Sequence, residues 1–336
     1  MERNAFFDNA KVFLIFLVVF GHMIQPFISE AKPLEAIYMW IYTFHMPAFI
    51  LLAGFFAKGS GNKKYIWNLM KKLIIPYFIF QTLYTVYYFF IGKADWQTGV
   101  FYPQWSLWFL FSLFSWHILL VLFKKIPAGW SITLSIVIGI LVGYFGEIGH
   151  SFSLSRTFVF FPFFLVGYWL TVDQMMLVKK HKVKVASVAV MAVLFVLIYR
   201  FPEMDSGWLL ASQSYSDLGA DSFGGAVRLI VYAIAAVMTV SILAWVPKRN
   251  LGWVTRLGTR TLYVYLLHGF IIHFLRQFDL LAVNHWFDVI GIAGLSALIV
   301  LVLSSKPILT ISQPLIEGRL AKVQSLFNHR SKGTSS

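Results

Sequence analysis

The sequence predicts an all-α fold, a polytopic membrane helical bundle with about ten transmembrane helices. Of its 336 residues, 59% are hydrophobic and only 12% are charged, and its mean hydropathy is +0.73. A typical soluble domain carries about twice that charged fraction. Apolar runs of the length that spans a bilayer recur along the chain, and basic residues concentrate in alternate connections between them. These three observations indicate a protein that crosses a membrane many times.

Ten apolar segments are predicted to form the transmembrane helices. They lie near residues 12–29, 37–57, 73–91, 105–123, 130–146, 156–173, 185–200, 225–246, 261–280 and 286–305. The first segment carries His22 and Pro26 and has no clear small-residue cleavage site, so we interpret it as a helix and not as a removed signal peptide. The chain has no cysteine, which excludes thiolate catalysis, palmitoylation and disulfide bonds.

The basic residues predict the orientation of the bundle. With the N-terminus in the cytoplasm, 22 of the 28 lysine and arginine residues fall on that side, in residues 1–11, 58–72, 124–129, 174–184, 247–260 and 306–336. This asymmetry follows the positive-inside rule and predicts cytoplasmic N- and C-termini in a multi-pass protein of the plasma membrane. Topology and anionic lipid account for the net charge of +14, so no nucleic-acid partner is expected.

Lys11 and His22 are the most informative residues of the predicted first helix. Nine apolar residues and one glycine separate them, and eleven steps of about 100° bring both side chains to one face. They lie roughly 16 Å apart along the axis, so a lysine at the membrane surface places His22 near the middle of the hydrocarbon layer. A titratable group at that depth indicates a functional site; the alternative is a structural histidine hydrogen-bonded between packed helices.

Other polar and aromatic side chains fall within later segments or at their ends. His45 lies near the outer end of the second helix and could share a cavity with the first, and His268 lies about midway along the ninth. Trp105 and Trp108 open the fourth helix, where an interfacial aromatic belt is the alternative to a substrate contact. Arg156 opens the sixth helix, where a snorkelling arginine is the alternative.

A basic stretch precedes the third predicted helix and includes Lys71 and Lys72, shortly before Pro76. Such a run anchors a helix at the cytoplasmic face, and its compact ammonium charges also suit phosphate binding. The sequence alone leaves both interpretations open.

The pattern of a basic residue, ten residues and a histidine resembles the first-helix signature of the acyltransferase 3 family of integral-membrane O-acyltransferases. Further motifs follow in family order: His45 to Pro47, Gly54 to Phe56, the basic stretch before Pro76, Leu107 to Leu110, Phe163 to Gly167, Leu257 with Gly258, and Tyr265 to His268. The chain looks most similar to the branch of fucose 4-O-acetylases. It departs from the pattern at Lys11, where many members have arginine, and at Lys71 and Lys72, which replace paired arginines.

The resemblance implies a membrane acyltransferase domain over residues 1–310 and a cytoplasmic tail over residues 311–336, disordered at its end. It implies an acyl-CoA donor, expected to be acetyl-CoA, bound from the cytoplasm. The acceptor would be a hydroxyl of an extracytoplasmic polysaccharide or lipid-linked sugar of the cell envelope, and no tightly bound cofactor and no metal are expected. The implied roles are His22 as general base with His45 and His268 as further catalytic candidates, Lys11, Lys71 and Lys72 at the CoA phosphates, and Arg156, Trp105 and Trp108 at the acceptor.

Two other classes of protein remain open at this point. A secondary transporter or flippase could use intramembrane histidines as a proton relay, although the sequence lacks plain inverted repeats and carboxylates in the helix centres. A binding or sensory membrane protein would need no catalysis. Transfer of labelled acetyl from acetyl-CoA to a sugar separates the three classes.

Overall fold

The computed structural model of this chain describes residues 4–59, 63–93, 99, 102–146, 148, 153–201 and 204–317. The regular structure in these ranges is helical throughout, which confirms the predicted all-α fold. The helices are α1 (Ala5–Ile24), α2 (Lys32–Tyr42), α3 (His45–Phe55), α4 (Lys63–Phe90), α5 (Trp108–Phe123), α6 (Ala128–Leu141), α7 (Leu154–Trp169), α8 (Val172–Met176), α9 (His181–Arg200), α10 (Gly207–Leu210), α11 (Gly224–Trp245), α12 (Trp253–Leu257), α13 (Thr261–Gln277), α14 (Trp286–Leu303) and α15 (Lys306–Ile316). The predicted tail includes residues 318–336, which lie outside the described residues.

Each predicted transmembrane segment coincides with a helix, but the helices differ in length. By length and hydropathy alone, seven described spans are long enough to cross a membrane, and one of them, Lys32–Phe55, joins α2 and α3. An eighth span results if Leu154–Trp169 and Val172–Lys179, which are bent by 108°, count as one. The apolar segment Ala128–Tyr144 is shorter, and α13 has 17 residues. The described chain is therefore a polytopic membrane helical bundle.

Two helix boundaries differ from the prediction. The second predicted helix is divided into α2 and α3 at Thr43 and Phe44, where Phe44 leaves the helical conformation with φ of −131°. The third predicted helix begins earlier, at Lys63, so Lys71 and Lys72 lie within α4 and not in a connection. Lysine is a good helix former, and the helix therefore continues beyond its apolar part.

Successive long helices run in alternate directions between two ends of the bundle. At one end, which we call the basic end, Lys58 Nζ donates to the Leu170 carbonyl after α7 at 2.6 Å. Lys179 Nζ donates to the Leu243 carbonyl near the end of α11 at 2.7 Å. Each lysine donates a hydrogen bond to a backbone carbonyl at the end of a helix, where the last turn provides no N–H partner. The connections predicted to share one side of the membrane therefore meet at one end of the fold.

A buried asparagine fixes α1 at the basic end. Asn9 Nδ2 donates to the carbonyls of Pro247 (2.8 Å) and Arg249 (3.0 Å), and the Thr255 hydroxyl donates to Asn9 Oδ1 at 2.7 Å. Gly258 packs so closely that a Cβ atom there would overlap the α1 backbone. These contacts set the axial position of α1 against the segment that leads into α13.

Helices α3 and α7 cross at two glycines. A Cβ atom on Gly54 would overlap the Phe164 carbonyl oxygen, and a Cβ atom on Gly167 would overlap the Leu51 carbonyl oxygen. Small residues permit this approach and are common where helices associate inside a membrane. Two of the sequence motifs noted above therefore contain packing residues.

Gly54→Ala is expected to destabilise the bundle by about 1–3 kcal/mol or more, because the obstacle is the backbone of a partner helix and the two helices must separate. Thermal unfolding of the detergent-solubilised protein measures this loss. Gly291→Ala in α14 is the matched control, since an added Cβ atom there meets no atom within 4 Å and alanine favours the helix. Equal unfolding temperatures for the two variants would contradict the close crossing of α3 and α7.

Candidate active site

Lys11, Ile15, Val18 and His22 follow one another along one face of α1. The helix is continuous through all four positions, and spacings of three and four residues keep a stripe on one side. Ile15, Val18 and His22 line a single cavity. Lys11 stands at the basic end of the stripe, where its Nζ lies 2.8 Å from Asp8 Oδ1. The structure thus has the predicted single-face arrangement of Lys11 and His22.

His22 lies in a cluster of aromatic rings from several helices. Its ring centroid is 4.4 Å from that of Trp105 and 5.7 Å from that of His268. The Tyr42 hydroxyl lies 3.3 Å from His22 Nδ1, and the Tyr42 ring is 4.4 Å from the His45 ring. The fold therefore brings together the three predicted catalytic histidines, which come from α1, α3 and α13.

Hydrogen bonds determine which ring nitrogen carries the proton in two of these histidines. His45 Nδ1 lies 3.0 Å from the Ile41 carbonyl oxygen, and His268 Nδ1 lies 3.0 Å from that of Val264. A carbonyl can only accept, so each Nδ1 donates and Nε2 of the neutral ring remains an acceptor. His268 Nε2 is buried and has no partner in the described part of the chain. His22 differs, because its Nδ1 faces a hydroxyl that can donate or accept.

Trp105 adopts a strained backbone conformation. Its φ of +43° lies in the left-handed region, which bulky residues rarely adopt. Its ring packs against His22, against His268 at 5.0 Å and against His273 at 4.6 Å. A side chain packed against three histidines does not belong to an interfacial aromatic belt. Strain of this kind persists where the surrounding structure holds it, and it concentrates at functional sites.

The end of α1 is held by Arg276, which our sequence analysis did not single out. Arg276 on α13 donates to the backbone carbonyl of His22 and, at 3.1 Å, to Gln25 Oε1. The last carbonyls of a helix lack intrahelical partners, and a cation is favourable there. Arg276 therefore fixes the position of His22 in the bundle. The signal available in the sequence was an arginine inside a predicted membrane segment.

Two other members of the cluster were also missed. Tyr42 ends α2 in the structure, but in the sequence it lies inside the apolar segment predicted over residues 37–57, where nothing distinguishes it from a packing tyrosine. His273 follows His268 by five residues, a spacing that predicts different faces of one helix.

Within the described ranges, no three His, Cys, Asp or Glu side chains converge as a metal site would require.

Two cavities meet at His22. The inner cavity, of about 110 Å³, extends towards the basic end and reaches Thr261 and Leu262 in the first turn of α13. The outer cavity, of about 140 Å³, extends the other way and reaches Arg156 and α10. The side chains that line both cavities are His22, Met46, Ser106 and Trp108. Among these four, His22 is the titratable group.

Arg156 and Trp108, two predicted acceptor contacts, both line the outer cavity. The guanidinium carbon of Arg156 lies 5.0 Å from the Trp108 ring centroid, and Arg156 Nε donates to the Leu210 carbonyl at 3.1 Å. Trp108 also stacks on Phe160 at 5.7 Å. A side chain that turns into a cavity is not a snorkelling arginine.

The predicted phosphate-binding lysines do not line either cavity. Lys11 Nζ lies 5.7 Å from the Phe56 ring centroid, beyond the stripe of cavity-lining residues. Lys71 and Lys72 are exposed on α4, and Lys71 Nζ lies 5.1 Å from the Trp67 ring centroid. A role for these lysines at the CoA phosphates stays a prediction.

A histidine cluster between two cavities of a membrane bundle suits an integral-membrane enzyme, and comparison with known proteins gives its class. Residues 4–305 match the family profile described as an acyltransferase domain. The chain belongs to the acyltransferase 3 family, which confirms the resemblance and makes this protein an integral-membrane acyltransferase.

The chain is similar to a named relative over a short part of its length. It is 38% identical to the nodulation protein NolL of Mesorhizobium japonicum over 66 residues, which are 19% of this chain and 18% of that protein. The matched region thus spans less than a fifth of that relative. No solved structure matches the chain. The fucose 4-O-acetylase-like branch stays a prediction.

Proposed function

We propose that this protein is a plasma-membrane O-acyltransferase that moves an acyl group, expected to be acetyl, from cytoplasmic acyl-CoA to a hydroxyl of an extracytoplasmic glycan or lipid-linked sugar. The observation that carries the proposal is the position of His22, which lines both the inner and the outer cavity. A donor from one side and an acceptor from the other can then meet at one base. Membership of the acyltransferase 3 family supports the class of reaction.

The inner cavity suits the acyl end of the donor. Its walls include Ile15, Val18 and Phe49, and an uncharged thioester can enter such a space at low cost. The CoA phosphates are charged and expensive to bury, so they remain at the basic end, where we assign Lys11, Lys71 and Lys72 to them. The Asp8 carboxylate fixes the Lys11 ammonium at this end.

In the proposed step, the acceptor oxygen attacks the thioester carbonyl carbon while His22 takes the hydroxyl proton. A C–O bond forms, the C–S bond breaks, and His22 returns the proton to the departing CoA thiolate. The products are an ester and the CoA thiol, so atoms and charges balance without a further reactant. If the Tyr42 oxygen accepts from His22 Nδ1, Nε2 is the base. His45 lines the outer cavity, and its Nε2 suits a hydrogen bond from another hydroxyl of the acceptor. His268 lines neither cavity, and a direct role for it stays a prediction.

Sealed vesicles of known orientation test this proposal. When the basic end faces outward, labelled acetyl-CoA added outside is expected to acetylate a sugar acceptor trapped in the lumen. Vesicles of the opposite orientation are expected to acetylate nothing in the lumen from the same external donor, and protein-free vesicles serve as the blank. Movement of unmodified sugar without acetylation would indicate a transporter and contradict the proposal.

A further inference from the structure

Arg156 lines the outer cavity and makes one hydrogen bond to the described residues. Its Nε donates to the Leu210 carbonyl, and its guanidinium lies against the Trp108 ring. These contacts use one of the five N–H donors of an arginine. The terminal N–H groups therefore remain for a ligand in the cavity that Arg156 lines.

The described residues supply no counter-ion for this arginine. No described carboxylate lies within ion-pair distance of Arg156, and no Asp or Glu lines the outer cavity. The other side chains with a polar atom that line it are His22, Gln25, Tyr42, His45, Trp105, Ser106 and Trp108. A cation in an enclosed site without a counter-ion is costly, and an anionic ligand would remove that cost.

A second arginine adds positive charge next to the same cavity. Arg276 donates to Gln25 Oε1, and Gln25 lines the outer cavity together with Arg156. The charge of Arg276 is also without a carboxylate in ion-pair distance among the described residues. The surroundings of the outer cavity therefore attract anions and repel cations.

Arg228 is a buried arginine with a packing role and serves as a comparison for Arg156. It is 2% exposed, its NH1 group donates to the Trp208 carbonyl at 2.5 Å, and its guanidinium carbon lies 5.4 Å from the Trp208 ring centroid. Arg156 and Arg228 thus each hold a carbonyl of α10 and contact a tryptophan. Arg228 does not line the outer cavity, so holding α10 does not require an arginine inside it.

We propose that the acceptor carries an oxyanion, a carboxylate or a phosphate, close to the hydroxyl that is acylated, and that Arg156 binds this group. The inference rests on the proposed function, because it names the acceptor class of the same site. The planar guanidinium matches two oxygens of a carboxylate or phosphate, and Trp108 holds it in place. With the oxyanion at Arg156, a neighbouring hydroxyl is directed to His22 across the cavity that both residues line.

Three sugars that share one ring and differ at one position test the inference. Methyl glucuronide carries a carboxylate, methyl glucoside 6-phosphate carries a phosphate, and methyl glucoside carries a neutral hydroxymethyl group. Thermal stabilisation of the purified full chain measures binding, and labelled acetyl-CoA measures transfer to each sugar. The proteins compared are the parent, Arg156→Gln and Arg228→Gln.

The parent is expected to bind at least one charged sugar about tenfold or more tightly than methyl glucoside, since hydrogen bonds to charged groups are the strong ones. Arg156→Gln is expected to lose this preference. Arg228→Gln loses the other anchor of α10 and is expected to unfold at a lower temperature yet keep the preference. The stronger of the two charged ligands identifies a carboxylate or a phosphate.

Equal binding of the three sugars overturns the inference, and so does a preference that survives in Arg156→Gln or disappears equally in Arg228→Gln. The transfer assay separates this failure from failure of the proposed function. Binding of a charged sugar through Arg156 without acetylation of any sugar contradicts the proposed transfer to a sugar alone. Acetylation of methyl glucoside as readily as of the charged sugars contradicts the oxyanion site alone.

Discussion

His22→Gln is expected to lower acetyl transfer by about a hundred- to ten-thousandfold per folded molecule, the contribution typical of a general base. Glutamine keeps a polar side chain opposite the Tyr42 hydroxyl but cannot accept a proton at neutral pH. The backbone carbonyl of residue 22 still accepts from Arg276, so α1 keeps its anchor. Turnover of labelled acetyl-CoA by the purified variant measures the effect.

His117→Gln is the matched control for loss of a buried imidazole. His117 on α5 is 5% exposed, lies 3.3 Å from the Tyr65 hydroxyl and packs against Phe164, but it lines neither cavity. This variant is expected to lose stability and keep transfer within a few-fold of the parent. Turnover by His22→Gln within tenfold of the parent would remove His22 from the role of base and favour His45, which also lines the outer cavity and whose Nε2 is an acceptor.

Insertion of one alanine between Phe16 and Leu17 is expected to lower transfer by about a hundredfold or more although every functional side chain is retained. The insertion rotates Lys11 by about 100° relative to His22 and adds about 1.5 Å between them. Helix α1 is anchored at Asn9 on one side of the insertion and at the His22 carbonyl on the other. The two anchors cannot both be kept, so Lys11 and His22 lose their positions relative to each other and to the cavities. Acetyl transfer by correctly inserted protein measures the loss.

The control carries the same alanine between Lys124 and Lys125, in the turn between α5 and α6, where an extra residue leaves the helices in phase. It is expected to retain most of the activity. Full activity in the α1 insertion variant would show that the single-face arrangement of Lys11 and His22 does not matter for transfer.

The overall fold could be predicted because its main signal, long apolar runs separated by basic connections, depends on burial in lipid. The break between α2 and α3 has a signal that hydropathy does not show: Pro47 has no N–H to donate to the Thr43 carbonyl, and its ring would clash with that carbonyl in a continuous helix. The early start of α4 at Lys63 was missed for a different reason. Hydropathy marks where a helix leaves the apolar layer and does not mark where its hydrogen bonds end.

The depth of each candidate residue along its helix could be predicted from the sequence, but the direction in which its side chain points around the helix axis could not. Helical rise placed His22 and His268 at similar depths, whereas their 5.7 Å approach depends on how α1 and α13 are rotated in the bundle. From the sequence alone, Trp105 was compatible with an interfacial aromatic belt. In the structure its backbone is left-handed and its ring packs against the histidines. The role of Arg276 could not be predicted because it donates to a backbone carbonyl and to an amide oxygen. Neither partner is charged, so the sequence shows no acidic residue with which to pair it.

The contact between the two cavities at His22 has a consequence for the permeability of the membrane during turnover. The side chains of His22, Met46, Ser106 and Trp108 line both cavities. A carrier must open to both sides in turn to move its cargo, whereas a group passed from one covalent bond to another needs no such opening. The bilayer can therefore keep its proton and ion gradients during turnover. In the reaction we propose, the energy of a thioester made in the cytoplasm would become available on a surface where no nucleotide is present.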